Sequence, residues 1–164
     1  MQPFPHHYDV RLVGGSSGYA QLATPGAPPL AAAPPPQFDG PGDAWSPEHL
    51  LLASVEACFL FTLRAVARHA KVPFHALEVD ATGTVVRIGG VTRFSEIVLR
   101  PTITVDARTS DDVVLRLLAK TEHDSREDFA DGYDFDEAFC RPFLPSSKQM
   151  PHRGTTVPAP DIKL

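Results

Sequence analysis

The stretch from Trp45 to Phe59, WSPEHLLLASVEACF, places Cys58 ten residues after Glu48. A thiol becomes a nucleophile as the thiolate, which needs a nearby cation or helix dipole. Otherwise a buried cysteine is a small packing residue. At helical spacing the neighbours of Cys58 are Ser54, Val55, Phe61 and Thr62, none of them basic, and Arg64 is poorly placed to reach it. The residues alone leave two readings open: an inert packed thiol, or a nucleophile activated from elsewhere in the fold or by a second subunit. Glu48 is either a first-turn residue favoured by the helix dipole or a carboxylate working with the thiol. On a straight helix ~15 Å of rise separates the two, so they would meet only across a helix break or through a partner chain.

Other candidates carry less chemistry. Glu56, two residues before the thiol, reads as an interface carboxylate paired with Arg64 or Arg68. Beside the thiol it would raise the cysteine pKa and oppose nucleophilic chemistry. Cys140, in DEAFCRPF, is a free tail cysteine or a second redox thiol. His49 reads as a helix-start surface residue. His6-His7 and His123-Asp124 do not have the spacing of a metal site. There is no glycine-rich phosphate loop and no Ser/His/Asp order, so neither cofactor nor metal is expected.

The elements that must position these residues follow from pattern. Ser46 is a suitable N-cap, Pro47 fits the first helical position and Glu48 the first turn, so a helix begins here. From Leu50 to Phe61 apolar residues occupy nearly every side, which predicts a helix buried all round. Pro73 ends it. Before it, YDVRLV (8–13) and YAQLAT (19–24) predict two strands joined through GGSSG. Ten of the 17 prolines fall in the first 47 residues, and the stretch from Thr24 to Ala44 reads as an extended loop, neither helix nor central strand. Beyond the helix, LEVDATGTVV is a half-buried strand, Gly89-Gly90 a turn, and Arg93 to Val105 the return strand. A second helix follows, capped by Thr109 or Ser110, with Val113, Val114, Leu117, Leu118 and Thr121 on one face. After His123 the pattern fades, and the rest reads as mostly irregular, with a short strand near Thr155 to Val157. The expected class is α+β, helices against antiparallel strands. A helix apolar on every side needs more cover than one two-layer subunit supplies, which points to a homodimer.

Composition bounds the function. The 164 residues suit one domain, 43% hydrophobic and 21% charged. A net charge of −5 without a basic cluster disfavours nucleic-acid and anionic-membrane partners. The run from Leu50 to Leu63 is too short to span a bilayer. The first ten residues lack the regions of a signal peptide, and two cysteines make no disulfide scaffold, so a cytoplasmic setting is expected.

GPGDAWSPEHLLLASVEACFLFTLRAVAR resembles the characteristic helix of the OsmC/Ohr family of thiol-dependent hydroperoxide reductases, the osmotically inducible and organic hydroperoxide resistance proteins. The likeness continues through FHALEVDATGTV, GGVTRFSEIVLRPTITV and RLLAKTEHD, covering about Tyr8 to Asp124. It implies an OsmC-like domain over 1–125, followed by a divergent segment over 126–164. It also implies an intertwined homodimer with active sites at the subunit interface. By the same resemblance, Cys58 is the catalytic thiol that reduces organic hydroperoxides, and Glu48 orients an arginine that stabilises the thiolate. Two positions depart from the family: Ser16 stands where the arginine is expected and Ser125 where the resolving cysteine is expected. The implied activity is therefore a weakened peroxidase that relies on an external thiol or dithiol reductant. Cys140 could replace the resolver, and Arg11 or Arg93 the missing cation. The alternative is a non-catalytic dimer of the same fold that binds a small apolar ligand at its interface.

Overall fold

In a computed structural model, which describes residues 3–130, 156–158 and 160–163, three short strands open the chain. They are β1 (Arg11–Val13), β2 (Ala20–Ala23) and β3 (Leu30–Ala32), antiparallel in the order β1-β2-β3. The β1/β2 pair is the hairpin expected from GGSSG, with Val13 opposite Gln21. The proline-rich stretch differs from its reading as a loop. Its proline-free residues LAAA keep their N–H donors, so β3 forms as an edge strand, with Leu30 opposite Leu22. A 3-10 turn follows at Pro36–Phe38, with proline at the start of the turn, where the missing N–H is not needed. Gly40 passes so close to this turn that a Cβ there would lie 1.6 Å from the Pro34 carbonyl oxygen.

Helix α1 (Pro47–Ala70) is the central element. Its burial corrects the expectation of a helix covered on every side. Val55, Phe59, Leu63 and Ala67 form one buried stripe at four-residue spacing, while Phe61 is 59% exposed. One subunit covers one face only. The helix also extends well past Leu63, and its 24 residues are long and apolar enough to cross a membrane, with 22% of the most apolar window buried. The expectation of a run too short to span is thus corrected by the helix's full length. At its end Val72 N–H donates to Ala67 (3.0 Å) and Lys71 N–H to Arg68 (3.3 Å), a Schellman turn. Lys71 occupies its left-handed position with φ 56°, which disfavours a side chain by roughly 1 kcal/mol.

Strands β4 (Phe74–Ile88) and β5 (Val91–Val105) form a long antiparallel hairpin. Gly89 and Gly90, both at positive φ, make its two-residue turn, as the primed turn types require. Helix α2 (Asp111–Ala130) buries Val114, Leu117, Leu118 and Thr121, the face read from the sequence. It continues past His123, where an irregular segment was expected, because the polar sequence SREDFA holds good helix formers even without an apolar period. Two C-terminal strands return to β5: β6 (Thr156–Pro158), where a short strand was expected, and β7 (Ile162–Lys163), which was not foreseen. Pro101 falls in the gap between these partners, which pair with residues 102–104 and 98–99 of β5. That gap accommodates a residue without an N–H. The chain divides into two compact units, Met1–Leu51 and Leu52–Leu164, with the division inside α1.

Candidate functional site

The start of α1 is fixed from several directions. Trp45 bridges to Ala32 of β3, and its carbonyl accepts from Ala33 N–H at 2.9 Å. The Tyr19 hydroxyl donates to both carboxylate oxygens of Asp43 (2.8 and 2.9 Å), tying the preceding loop to β2. This hydrogen bond to Asp43, chiefly, raises the Tyr19 phenol above its ordinary pKa. Ser46 is fully buried, and its Oγ accepts from His49 N–H at 3.3 Å. His49 Nδ1 accepts in return from Ser46 N–H at 3.4 Å. This reciprocal arrangement is a capping box with imidazole in the place usual for Glu or Gln. His49 is therefore a structural cap at an exposed helix start, a role the spacing Ser-x-x-His could have revealed.

Glu48 sits in the first turn, partly buried. Its Oε2 atom is buried and has no hydrogen-bond partner among the described residues. A carboxylate oxygen in that condition calls for a cation or donor. Cys58 lies on the same unbroken helix, ten residues on, so the structure provides no helix break to bring the pair together within one chain.

Cys58 is of intermediate burial, neither sealed in the core nor fully exposed. Its sulfur lies 3.9 Å from Thr62 Oγ1, one turn further along α1. Thr62 was visible in the sequence only as a neighbour. Its hydroxyl can donate to a thiolate, a neutral donor where a cation would be stronger. Arg64 does not reach Glu56; its guanidinium lies over the Phe61 ring, 5.5 Å from the centroid. Neither Arg64 nor Arg68 forms an ion pair with Glu56 among the described residues, so that expected pairing is absent there.

Ser125 lies on α2, 3% exposed, and its Oγ has no hydrogen-bond partner among the described residues. Ser16 stands exposed in the bend between β1 and β2. Arg11, on β1, and Arg93, on β5, are both exposed. Cys140 lies outside the described residues. No group of three or more His, Cys, Asp or Glu side chains able to hold a metal occurs among the described residues.

Comparison with known proteins accords with this architecture. The family model described as OsmC-like protein matches residues 40–125, which include Glu48, Cys58 and Ser125. The uncharacterized protein YmaD of Bacillus subtilis (strain 168) is 31% identical over 91 residues, 54% of this chain and 61% of YmaD. The match thus spans less than two thirds of that relative's length. Among solved structures, an OsmC-like protein of unknown function from Vibrio cholerae aligns with a TM-score of 0.68 at 16% identity, over 79% of this chain and 95% of its own. The organic hydroperoxide resistance protein OsmC of Legionella pneumophila gives 0.63 at 22%, over 78% and 90%. An organic hydroperoxide resistance protein from Elizabethkingia anophelis gives 0.65 at 19%, over 81% and 93%. At such identities the likeness is one of fold.

Proposed function

The chain belongs to the OsmC-like family, and on that premise we propose that it is a thiol-dependent peroxidase that reduces organic hydroperoxides through Cys58. The observation that carries this reading is a partly accessible cysteine inside the matched span, one turn from a hydroxyl. The hydroperoxide resistance proteins of Legionella pneumophila and Elizabethkingia anophelis share the fold and support the substrate class.

In the proposed reaction the Cys58 thiolate attacks the O–O bond of the hydroperoxide. An S–O bond forms as the O–O bond breaks, the departing alkoxide takes a proton, and an alcohol leaves a sulfenic acid on the protein. Ser125 cannot close a disulfide. An external thiol therefore condenses with the sulfenic acid, releasing water. A second thiol equivalent then restores Cys58 and departs as the oxidised disulfide. The chain acts as a homodimer in a reducing cytoplasm. A second copy covers the apolar side of α1 left open in one subunit; Ser54, Glu56 and Arg64 on that helix favour a protein partner over lipid. Across that interface the orphan oxygen of Glu48 receives a guanidinium, for which Arg11 and Arg93 are the candidates. Activity is low, because a serine occupies the position of the family's arginine.

The second reading, a non-catalytic dimer holding a small apolar ligand at its interface, is favoured by the two serines at positions 16 and 125. Cumene hydroperoxide separates the two. Rapid, stoichiometric oxygen addition at Cys58 at neutral pH, read by intact mass and absent from Cys58→Ser, is the expected result. An unreactive thiol would leave only the scaffold. In Ser125→Cys the same treatment should yield a disulfide between Cys58 and the introduced thiol, with a loss of two mass units and no stable sulfenic acid.

A further inference from the structure

Three cations gather towards the end of α1. Arg64 and Arg68, four apart, share a side of the helix, and Lys71 follows just past its end. With Val72, Phe74 and His75 they line a groove of about 620 Å3, within the usual size of small-molecule sites. Four other cations are paired with acids: Arg100 faces Asp161, Arg116 faces Asp112, Lys120 faces Asp124 and Lys163 faces Glu96. No described acid forms an ion pair with Arg64, Arg68 or Lys71. His75 is bound to Asp106 at 2.8 Å.

Basic residues commonly complement the dipole at a helix C-terminus. That explanation suffices for Arg68 and fails for Lys71. Lys71 takes φ 56° at the position where a Schellman turn favours glycine. A lysine there works against its own backbone, and a departure from a local rule points to a role for the side chain. Two of the helix's last carbonyls, those of Ala67 and Arg68, already accept from Val72 and Lys71, which limits their repulsion of an anion.

We propose that this groove binds a phosphomonoester of a small organic molecule. The dianionic phosphate lies among Arg64, Arg68 and Lys71, whose planar and tetrahedral donors suit its oxygens. The organic part rests on Val72 and Phe74. Three cations select a dianion over a monocarboxylate.

Calorimetric titration of the full-length, reduced protein with phenyl phosphate, and with benzoate for comparison, tests this. Expected is saturable 1:1 binding of phenyl phosphate, with benzoate about tenfold weaker. Arg64→Gln and Arg68→Gln should each weaken phenyl phosphate about tenfold, the loss of one charge-assisted contact. Lys71→Gly should weaken binding while its Tm stays equal or rises. Cys58→Ser should bind as the parent does, so this result is independent of thiol chemistry. The absence of saturable binding, equal affinity for benzoate, or affinity unchanged in Arg64→Gln and Arg68→Gln would overturn the proposal. So would a fall in Tm for Lys71→Gly, which would make the lysine a structural cap.

Discussion

Helix α2 hides Val114, Leu117, Leu118 and Thr121 and carries two ion pairs on its outer side, Asp112 with Arg116 and Lys120 with Asp124. Helix α1 hides Val55, Phe59, Leu63 and Ala67, yet leaves Phe61 exposed and much of its apolar surface half-covered. The first helix to be completed by its own subunit is thus the later one. α2 has a dry side and a charged side, the arrangement of an ordinary surface helix. α1 has one dry side and a second apolar side that a single subunit does not cover. The candidate thiol sits on the unfinished helix, so its surroundings depend on what completes it.

The largest expected effect separates the two sides of α1. Phe59→Ala should destabilise the fold by about 3–5 kcal/mol, as for a fully buried ring. Phe61→Ala should change stability little in an isolated subunit. If a second copy covers Phe61, its substitution should instead lower Tm in a concentration-dependent way and shift sedimentation towards monomer. Thermal melts at several concentrations distinguish these outcomes. Equal, concentration-independent losses for both variants would erase the contrast between the faces.

A smaller effect concerns how the helices begin. α1 has a reciprocal side-chain cap from Ser46 and His49, whereas α2 begins with the Ser110 carbonyl accepting from Val113 and Val114 and with acids at 111 and 112. Ser46→Ala should lower stability by about 1 kcal/mol, measured by urea unfolding. The smallest effect lies on the finished face of α2. Lys120→Ala removes an exposed i,i+4 pair and should cost about 0.3–0.5 kcal/mol, less in high salt. A loss there as large as that for Ser46→Ala would mean that the outer face of α2 is also covered.

Much of this arrangement was legible. The start of α1 follows from Ser-Pro-Glu, the β4/β5 turn from Gly89-Gly90, and the α2 face from Val114 to Thr121, because each rests on local geometry. β3 and the 3-10 turn were hidden because proline density outweighed the three or four residues between the prolines that could still pair. The last turns of α2 carry no apolar period, so the pattern stopped before the helix did. The uneven burial of α1 was unreadable for a different reason: an apolar run reports the need for cover, not the source of that cover. The same holds for the candidate site. Cys58 and Glu48 were identifiable from type and spacing. The Thr62 contact and the orphan oxygen of Glu48 required coordinates, since they depend on rotamers and on burial.

The pairing of β6 and β7 with β5 has a consequence for synthesis of the chain. β4 and β5 can zip together as soon as Val105 clears the ribosome, but the outer edge of β5 must wait while residues 106–155 are translated. At roughly 5–20 residues per second, that delay is about 3–10 s, during which an apolar strand offers open hydrogen-bonding groups to other nascent chains.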